Sequence, residues 1–233
     1  MTPPVDPSRP AADTGDARTR LLLVAIRLFA HQGYAKTSTR ELAEAAQVNV
    51  AAISYYFGDK AGLYRAAFLE PMDPTEDLAR FTDPALPLEH ALAGFYAGFL
   101  EPLRQGEDAR LCTKLHLREM LESTGLIENG LARSIQPLHD ALLALLVRHL
   151  GLDAVDAELQ RLAICIAGLG VQLHVGLDIN EVIAPGVNTA PGAIDHWHGT
   201  LLRAALAMVE AEARRRGRPP PDTPPDTPPG SSL

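Results

Sequence analysis

Between residues 37 and 70 the apolar positions fall into three short sets, each opened by a residue that can cap a helix. Thr37 and Ser38 carry side-chain oxygens that can accept from the free N–H groups of a first helical turn. Glu41 follows Ser38 by three residues, the spacing of a capping box. The helix so started, 39–46, is predicted to bury Leu42, Ala45 and Ala46. Gln47 falls where the chain must turn, Val48 packs inward, and Asn49 caps a second helix from 50 to 56. Ile53 and Phe57 share one face of it at i, i+4 spacing. Val50, Ala51, Ser54 and Tyr55 are left outside. Asp59 caps a third helix, 60–70, which Pro71 ends. Two short helices joined by a tight turn, the second with a small-residue start facing out, can enter a major groove about 12 Å wide. That is the pattern of a helix-turn-helix.

After a Pro-rich connection at 71–87, helical spacing continues to the end of the apolar sequence. A helix is predicted over 88–104 with Leu88, Leu92, Phe95 and Phe99 on one stripe, and another over 107–123 carrying Leu111, Leu115, Met120 and Leu121. A third, 130–150, has Leu138, Leu142, Leu145 and Leu146 apolar and Pro137 within it, where a kink or break is expected. Residues 162–175, LAICIAGLGVQLHV, are apolar nearly all round. Such a stretch is shorter than the roughly 20 residues of a bilayer span and reads as a fully buried helix. Its small residues Ala163, Ala167 and Gly170 form a stripe that admits another helix closely, and a second subunit is the expected source. A last helix, 193–216, ends in basic residues suited to its negative dipole end. Strand-like alternation is absent, so the fold class is all-α.

Charge divides the chain. The whole carries −8, but residues 17–64 hold six Lys or Arg against three acids, a net of +3, which leaves −11 elsewhere. A weakly basic head on an acidic body suits contact with DNA at one end. Cys112 and Cys165, with no close pair, point to a reducing compartment, the cytoplasm, and read as small core hydrophobes. The N-terminal segment 1–16 lacks the apolar run of a signal peptide, and with the PDTPPDTPP-bearing segment 217–233 it is expected to be disordered. Neither a GxSxG nor a phosphate-binding Gly loop occurs, so no enzyme is expected. His196 and His198 are spaced i, i+2 and point to different faces of a helix. With no CxxC or HExxH, no metal site and no cofactor are expected.

The stretch 18–64 resembles the DNA-binding domain of TetR-family transcriptional regulators. The resemblance rests on LLLVAIRLFAHQGY, with Leu22, Ala25, Leu28 and Phe29 inward and Gly33-Tyr34 closing it, on the Thr-Ser-x-Arg-Glu-Leu-Ala run, and on the aromatic-Phe-x-x-Lys run at ungapped spacing. It implies that Arg40 reaches a base edge, with guanine O6/N7 the best match. Thr39, Tyr55, Tyr56 and Lys60 would bind phosphates, which set register. Val50 and Ala51 would touch thymine methyls or simply permit close approach, and Ser54 lies on the same outward face. Three positions depart from the family pattern. Gln47 stands where the turn usually has Gly, at a cost on the order of 1 kcal/mol if left-handed. Ser54 replaces an aromatic and Tyr56 a His.

The body, REMLESTGLIENGLARSIQPLHDALLALLVRHLG followed by a Gly-containing apolar helix and a late Trp-containing helix, resembles TetR-family regulators with a CecR-type C-terminal domain. This implies a homodimeric, ligand-responsive repressor of a near-palindromic operator in double-stranded DNA. A small-molecule inducer would sit within the C-terminal helices, near Phe95, Tyr96, Phe99, His116, Met120, His174 and Trp197, which combine apolar walls with polar handles. No membrane partner is expected. The organisation so read is a DNA-binding domain at 17–64 and a helical ligand-binding and dimerisation domain at 65–216. A helical interaction or sequestering protein with weakened DNA binding is the alternative, and Arg40, Tyr55 and Lys60 at the contact positions weigh against it.

Overall fold

A computed structural model describes residues 12–71, 78–127 and 130–217, so most of the connection at 72–77 and the two terminal segments lie outside the described residues. Among the described residues ten helices are given bounds and no strand is formed. In chain order they are α1 (Ala12–Lys36), α2 (Thr39–Ala45), α3 (Ala51–Phe57), α4 (Lys60–Leu69), α5 (Leu88–Gln105), α6 (Glu107–Leu121), α7 (Gly130–Leu150), α8 (Ala157–Val175), α9 (Leu177–Ile183) and α10 (Ala193–Arg215). The all-α expectation holds.

The chain divides into two compact units, Met1–Asp73 with Gln105–Arg133, and Pro74–Arg104 with Ser134–Leu233. The first is therefore discontinuous, and α6, read from sequence as part of the body, is grouped with the head. Its core contains Leu21, Ala25, Ile26, Phe29 and Ala30 of α1, Leu42 and Ala43 of α2, Ile53 of α3, and Leu63, Tyr64 and Ala67 of α4. Leu111 and Leu115 of α6 complete it. Leu22 and Leu28 pack at its margin. In α2 the buried alanines are Ala43 and Ala46, whereas Ala45 is exposed, because positions 42, 43 and 46 share a helical face and 45 does not.

α1 begins at Ala12, inside the segment expected to be disordered. An i, i+4 ion pair between Asp16 and Arg20 supports its first described turns. At Gly33 the backbone turns to φ 79°. A Cβ there would also sit 2.8 Å from Arg118 Nε, a flexible side-chain end that can move aside, so it is the conformation that calls for glycine.

On α6 the inward face differs from the expected one. Leu111 and Leu115 are buried, but Met120 is exposed and Leu121 is 77% exposed. His116 and Glu119 occupy the inner face instead. Glu119 lies one turn beyond Leu115, so helical geometry carries it inward despite its charge. Its carboxylate accepts from Tyr64 Oη at 2.6 Å and from Thr124 N and Oγ1, both at 3.0 Å. The His116 ring stacks on Phe68, centroids 3.9 Å apart, and bonds the Cys112 carbonyl through Nδ1 at 2.8 Å. Arg118 pairs with Glu122 at 2.9 Å.

The core of the second unit is built by Leu88, Leu92, Phe95, Tyr96 and Leu100 of α5, Leu142, Leu145 and Leu146 of α7, Leu159, Ala163 and Ile166 of α8, and Leu201, Ala205 and Val209 of α10. Both α5 and α7 run through an internal proline, Pro102 and Pro137, so of the kink or break expected at Pro137 the helix shows no break. Arg216 joins the end of α10 to the start of α8. It donates to both oxygens of Asp156, at 2.8 and 2.9 Å, while Asp156 caps α8 by accepting from Leu159 N.

α8 is not fully buried. Its Gly170 faces α5, where an added Cβ would come within 2.6 Å of the Phe99 ring. At Gly170 the small-residue stripe thus seats an aromatic side chain of the same chain. The opposite side, with Ile164, Cys165, Gly168 and Val175, is exposed. Cys165 is accordingly no core residue, while Cys112 is half-buried in the head. No single described helix is long and apolar enough to cross a membrane.

Candidate nucleic-acid interface

The reciprocal capping box forms: Glu41 N donates to Ser38 Oγ at 3.1 Å, and Ser38 N to the Glu41 carboxylate at 3.4 Å. Thr37, buried, donates from Oγ1 to the Gly33 carbonyl at 2.8 Å. α2 is thereby tied to the end of α1. Arg20 of α1 reaches the other end of α2, donating to the Ala46 carbonyl at 3.3 Å. With both termini of α2 held, Arg40 projects from its first turn as an exposed side chain, and Thr39 beside it is half-buried.

The turn carries Gln47 at φ 56°, the left-handed region foreseen for it. Asn49 accepts from Ala51 N at 2.9 Å and so starts α3. Ile53 is buried beneath α3. Val50, Ala51, Ser54 and Tyr55 all lie outside, Tyr55 at 79% exposure. Burying one side of a two-turn helix leaves the other as a convex ridge of short side chains with one aromatic. Tyr56 is half-buried, packed edge-on to Tyr55 at 4.8 Å and to Phe57 at 6.3 Å. Phe57, expected inward, is only half-buried and lies 5.0 Å beneath the Arg18 guanidinium.

Asp59 caps α4 by accepting from Gly62 N at 2.6 Å. Lys60 follows, with its ammonium over the Tyr34 ring at 4.1 Å from the centroid. Burial lowers its pKa. Arg18 pairs with Glu70 at 2.5 Å, and that hydrogen bond raises the guanidinium pKa. Arg18, Arg20 and Tyr34 were not singled out from sequence as parts of this surface. Each acts through a tertiary contact to α2, α3 or α4, and the sequence signal was only the excess of basic residues.

The candidate pocket residues separate between the two units. His116 and Met120 lie in the first. Phe95, Tyr96, Phe99, His174 and Trp197 lie in the second. Phe95 stands edge-on to Tyr96 and Phe99 at 5.4 and 5.3 Å. Tyr96 Oη donates to the Ile166 carbonyl at 2.9 Å, His174 Nε2 bonds the Phe99 carbonyl at 2.7 Å, and Trp197 Nε1 donates to Asn188 Oδ1 at 3.1 Å. His198 Nε2 bonds the Ala93 carbonyl at 2.9 Å, while His196 is exposed.

Comparison with known proteins bears on the whole of this arrangement. Residues 21–67 match the family model of bacterial regulatory proteins of the tetR family, and residues 88–211 match that of the C-terminal domain of the HTH-type transcriptional dual regulator CecR. The chain belongs to the TetR family of transcriptional regulators. It is 30% identical over 155 residues to the dual regulator CecR of Shigella flexneri, covering 61% of this chain and 69% of that protein. To the probable HTH-type regulator YttP of Bacillus subtilis it is 33% identical over 86 residues, which cover 37% of this chain and only 30% of that one. A TetR-like transcriptional regulator from Rhodococcus sp. RHA1 has the same fold, with TM-score 0.55 at 24% identity over 84% of this chain and 96% of the other. As a TetR-family member the chain is a DNA-binding regulator and not an enzyme. The helix-turn-helix of that family is the α2–α3 unit, and its convex side is the surface carrying Arg40 and the outward face of α3.

Proposed function

We propose that the protein is a homodimeric repressor that binds a near-palindromic operator through α2 and α3 and is released by a small-molecule inducer. The observation that carries the DNA-binding geometry is the division of α3 into a buried Ile53 side and an outward Val50, Ala51, Ser54 and Tyr55 side. In this reading Arg40 contacts a guanine edge, Val50 and Ala51 meet thymine methyls, and Ser54 lies against the groove wall. Thr39, Tyr55, Tyr56 and Lys60 contact phosphates. A bidentate arginine–guanine contact is worth about 1–3 kcal/mol of discrimination against the wrong base. Gel-shift titration on DNA from the protein's own upstream region tests it. Arg40→Ala should lose preference over scrambled DNA while keeping its non-specific binding. An Arg40→Ala variant that discriminates as well as the wild type would remove Arg40 from base recognition.

The dimer is supported by the uncovered apolar side of α8 and α9. Ile164 is 60% exposed, and Val182 and Ile183 are more exposed still. A second copy laid on that face would cover it, and a twofold dimer reads half-sites about one helical turn of DNA or more apart. The inducer is assigned to the second unit, against Phe95, Tyr96, Phe99, His174 and Trp197. His116 and Met120 are left out of this set, the one covered by Phe68 and the other exposed. An inducer acts only through unequal affinity for the DNA-bound and released states. The description of CecR as a dual regulator makes activation at some sites a second reading, read out by transcription from the bound promoters. Such a protein acts in the cytoplasm, where its operator is.

A further inference from the structure

The Lys60 ammonium rests on an aromatic face, and among the described residues no carboxylate is within ion-pair distance of it. Tyr34 is itself held in place. Its ring packs edge-on to Tyr64 at 5.2 Å and tilted to Phe29 at 6.0 Å, and both of those side chains are fully buried. Asp59, the nearest acid in sequence, accepts from the Gly62 N–H through Oδ1 and forms no ion pair with Lys60. An aromatic quadrupole attracts a cation but carries no net charge. It fixes where the ammonium sits without neutralising it, whereas a carboxylate in its place would compete with a phosphate for the same charge. A free lysine also loses much rotamer freedom when it binds a phosphate, and a side chain already confined loses less. Arg18 shows the contrast on the same head, since it lies over Phe57 but is also paired to Glu70.

We propose that Tyr34 is a positioning residue for DNA binding, its ring holding the Lys60 ammonium ready for the phosphate backbone of duplex DNA. The proposal rests on the reading of Lys60 as a phosphate contact given above. Tyr34 touches no DNA in this scheme and acts only through Lys60.

Fluorescence anisotropy of the full-length protein on a scrambled-sequence duplex, titrated at several low salt concentrations, isolates phosphate binding from base recognition. Lys60→Met should weaken binding and flatten the salt slope by about one unit. Tyr34→Phe keeps the ring and should bind as the wild type. Tyr34→Leu should lose about two- to fivefold, the range of an exposed cation–π contact, and should add nothing in the Lys60→Met background. A trifluorophenylalanine in place of Tyr34 keeps the packing while withdrawing charge from the ring, so it should bind more weakly than Tyr34→Phe even if Tyr34→Leu folds poorly. Equal affinities for the Phe and trifluorophenylalanine variants would overturn the positioning role while leaving Lys60 a phosphate contact. A Tyr34→Leu loss that persists undiminished without Lys60 would overturn it as well. Wild-type affinity and slope for Lys60→Met would instead overturn the phosphate reading, and the proposal with it.

Discussion

Removing the Glu119 carboxylate should unfold the head at markedly lower temperature. Glu119 is 4% exposed and Tyr64 is 1% exposed, so neither group has recourse to water when the other is lost. In Glu119→Ala the Tyr64 hydroxyl loses its 2.6 Å acceptor, and Thr124 loses the acceptor of both its N–H and its hydroxyl. A hydrogen bond to a charged group contributes about 1.5–3 kcal/mol, and an orphaned buried donor costs about 1–3 kcal/mol. Truncation of the side chain adds a small cavity. The sum expected is about 3–5 kcal/mol, or a Tm lower by about 6–20 °C at 2–4 °C per kcal/mol for a chain of this size. Tyr64→Phe leaves the carboxylate with its Thr124 partners and should cost about 1–2 kcal/mol. The double variant should cost less than the two single losses combined, because the same bond is removed in each. Thermal and denaturant unfolding followed by far-ultraviolet circular dichroism measures all three. A Glu119→Ala Tm within about 1 °C of wild type, or strict additivity in the cycle, would refute the claim that this bond joins α4 to α6.

Gln47→Gly should raise stability by about 0.5–1 kcal/mol, since glycine adopts the φ 56° of this turn without strain; an unchanged or lower denaturation midpoint would show that the Gln47 backbone is not strained. Gly170→Leu should destabilise the fold by about 1–3 kcal/mol or more through the clash with Phe99, whereas Gly168→Ala, with nothing within 4 Å of its Cβ, should raise the Tm slightly, since alanine is favoured over glycine inside a helix by about 0.5–1 kcal/mol. Equal Tm values for the two would contradict the packing of α8 on α5. Burial lowers the His116 pKa below the usual histidine value of 6.5, so below pH 6.5 the unfolded chain takes up a proton that the folded chain refuses, and stability falls as pH falls. His116→Leu should remove that part of the dependence; a wild-type-to-variant difference that stays constant between pH 7.5 and 5.5 would show that His116 does not contribute.

What could be read from sequence was what local chemistry determines. Ser38 with Glu41, Asn49 and Asp59 are caps acting over two or three residues, and each forms as expected. The same is true of the Gln47 turn. Errors arose where the deciding partner was distant. The apolar phase of α6 was set on Met120 and Leu121 because a buried His116 and Glu119 make sense only once Phe68 and Tyr64 are seen opposite them. Glu119 did carry a signal, at i+4 from Leu115 and i+8 from Leu111, that a charged side chain shared the buried stripe. A stripe of small residues does not say which side chain fills it, and only the fold shows Phe99 against Gly170. α9 was missed since a seven-residue LDINEVI helix is too short for its period to show. The separation of His116 and Met120 from Phe95, Tyr96, Phe99, His174 and Trp197 likewise follows from the discontinuous first unit, which no composition boundary marks.

The central claim is sequence-specific DNA binding by two copies of the α2–α3 surface. Its most direct test is the stoichiometry and salt dependence of binding to DNA from the protein's own upstream region, with scrambled DNA as competitor. Two protomers, or a multiple of two, are expected per site, with a preference over the competitor that is lost in Arg40→Ala and an affinity that falls steeply with salt. A single protomer per site, or a preference that survives Arg40→Ala intact, would contradict it.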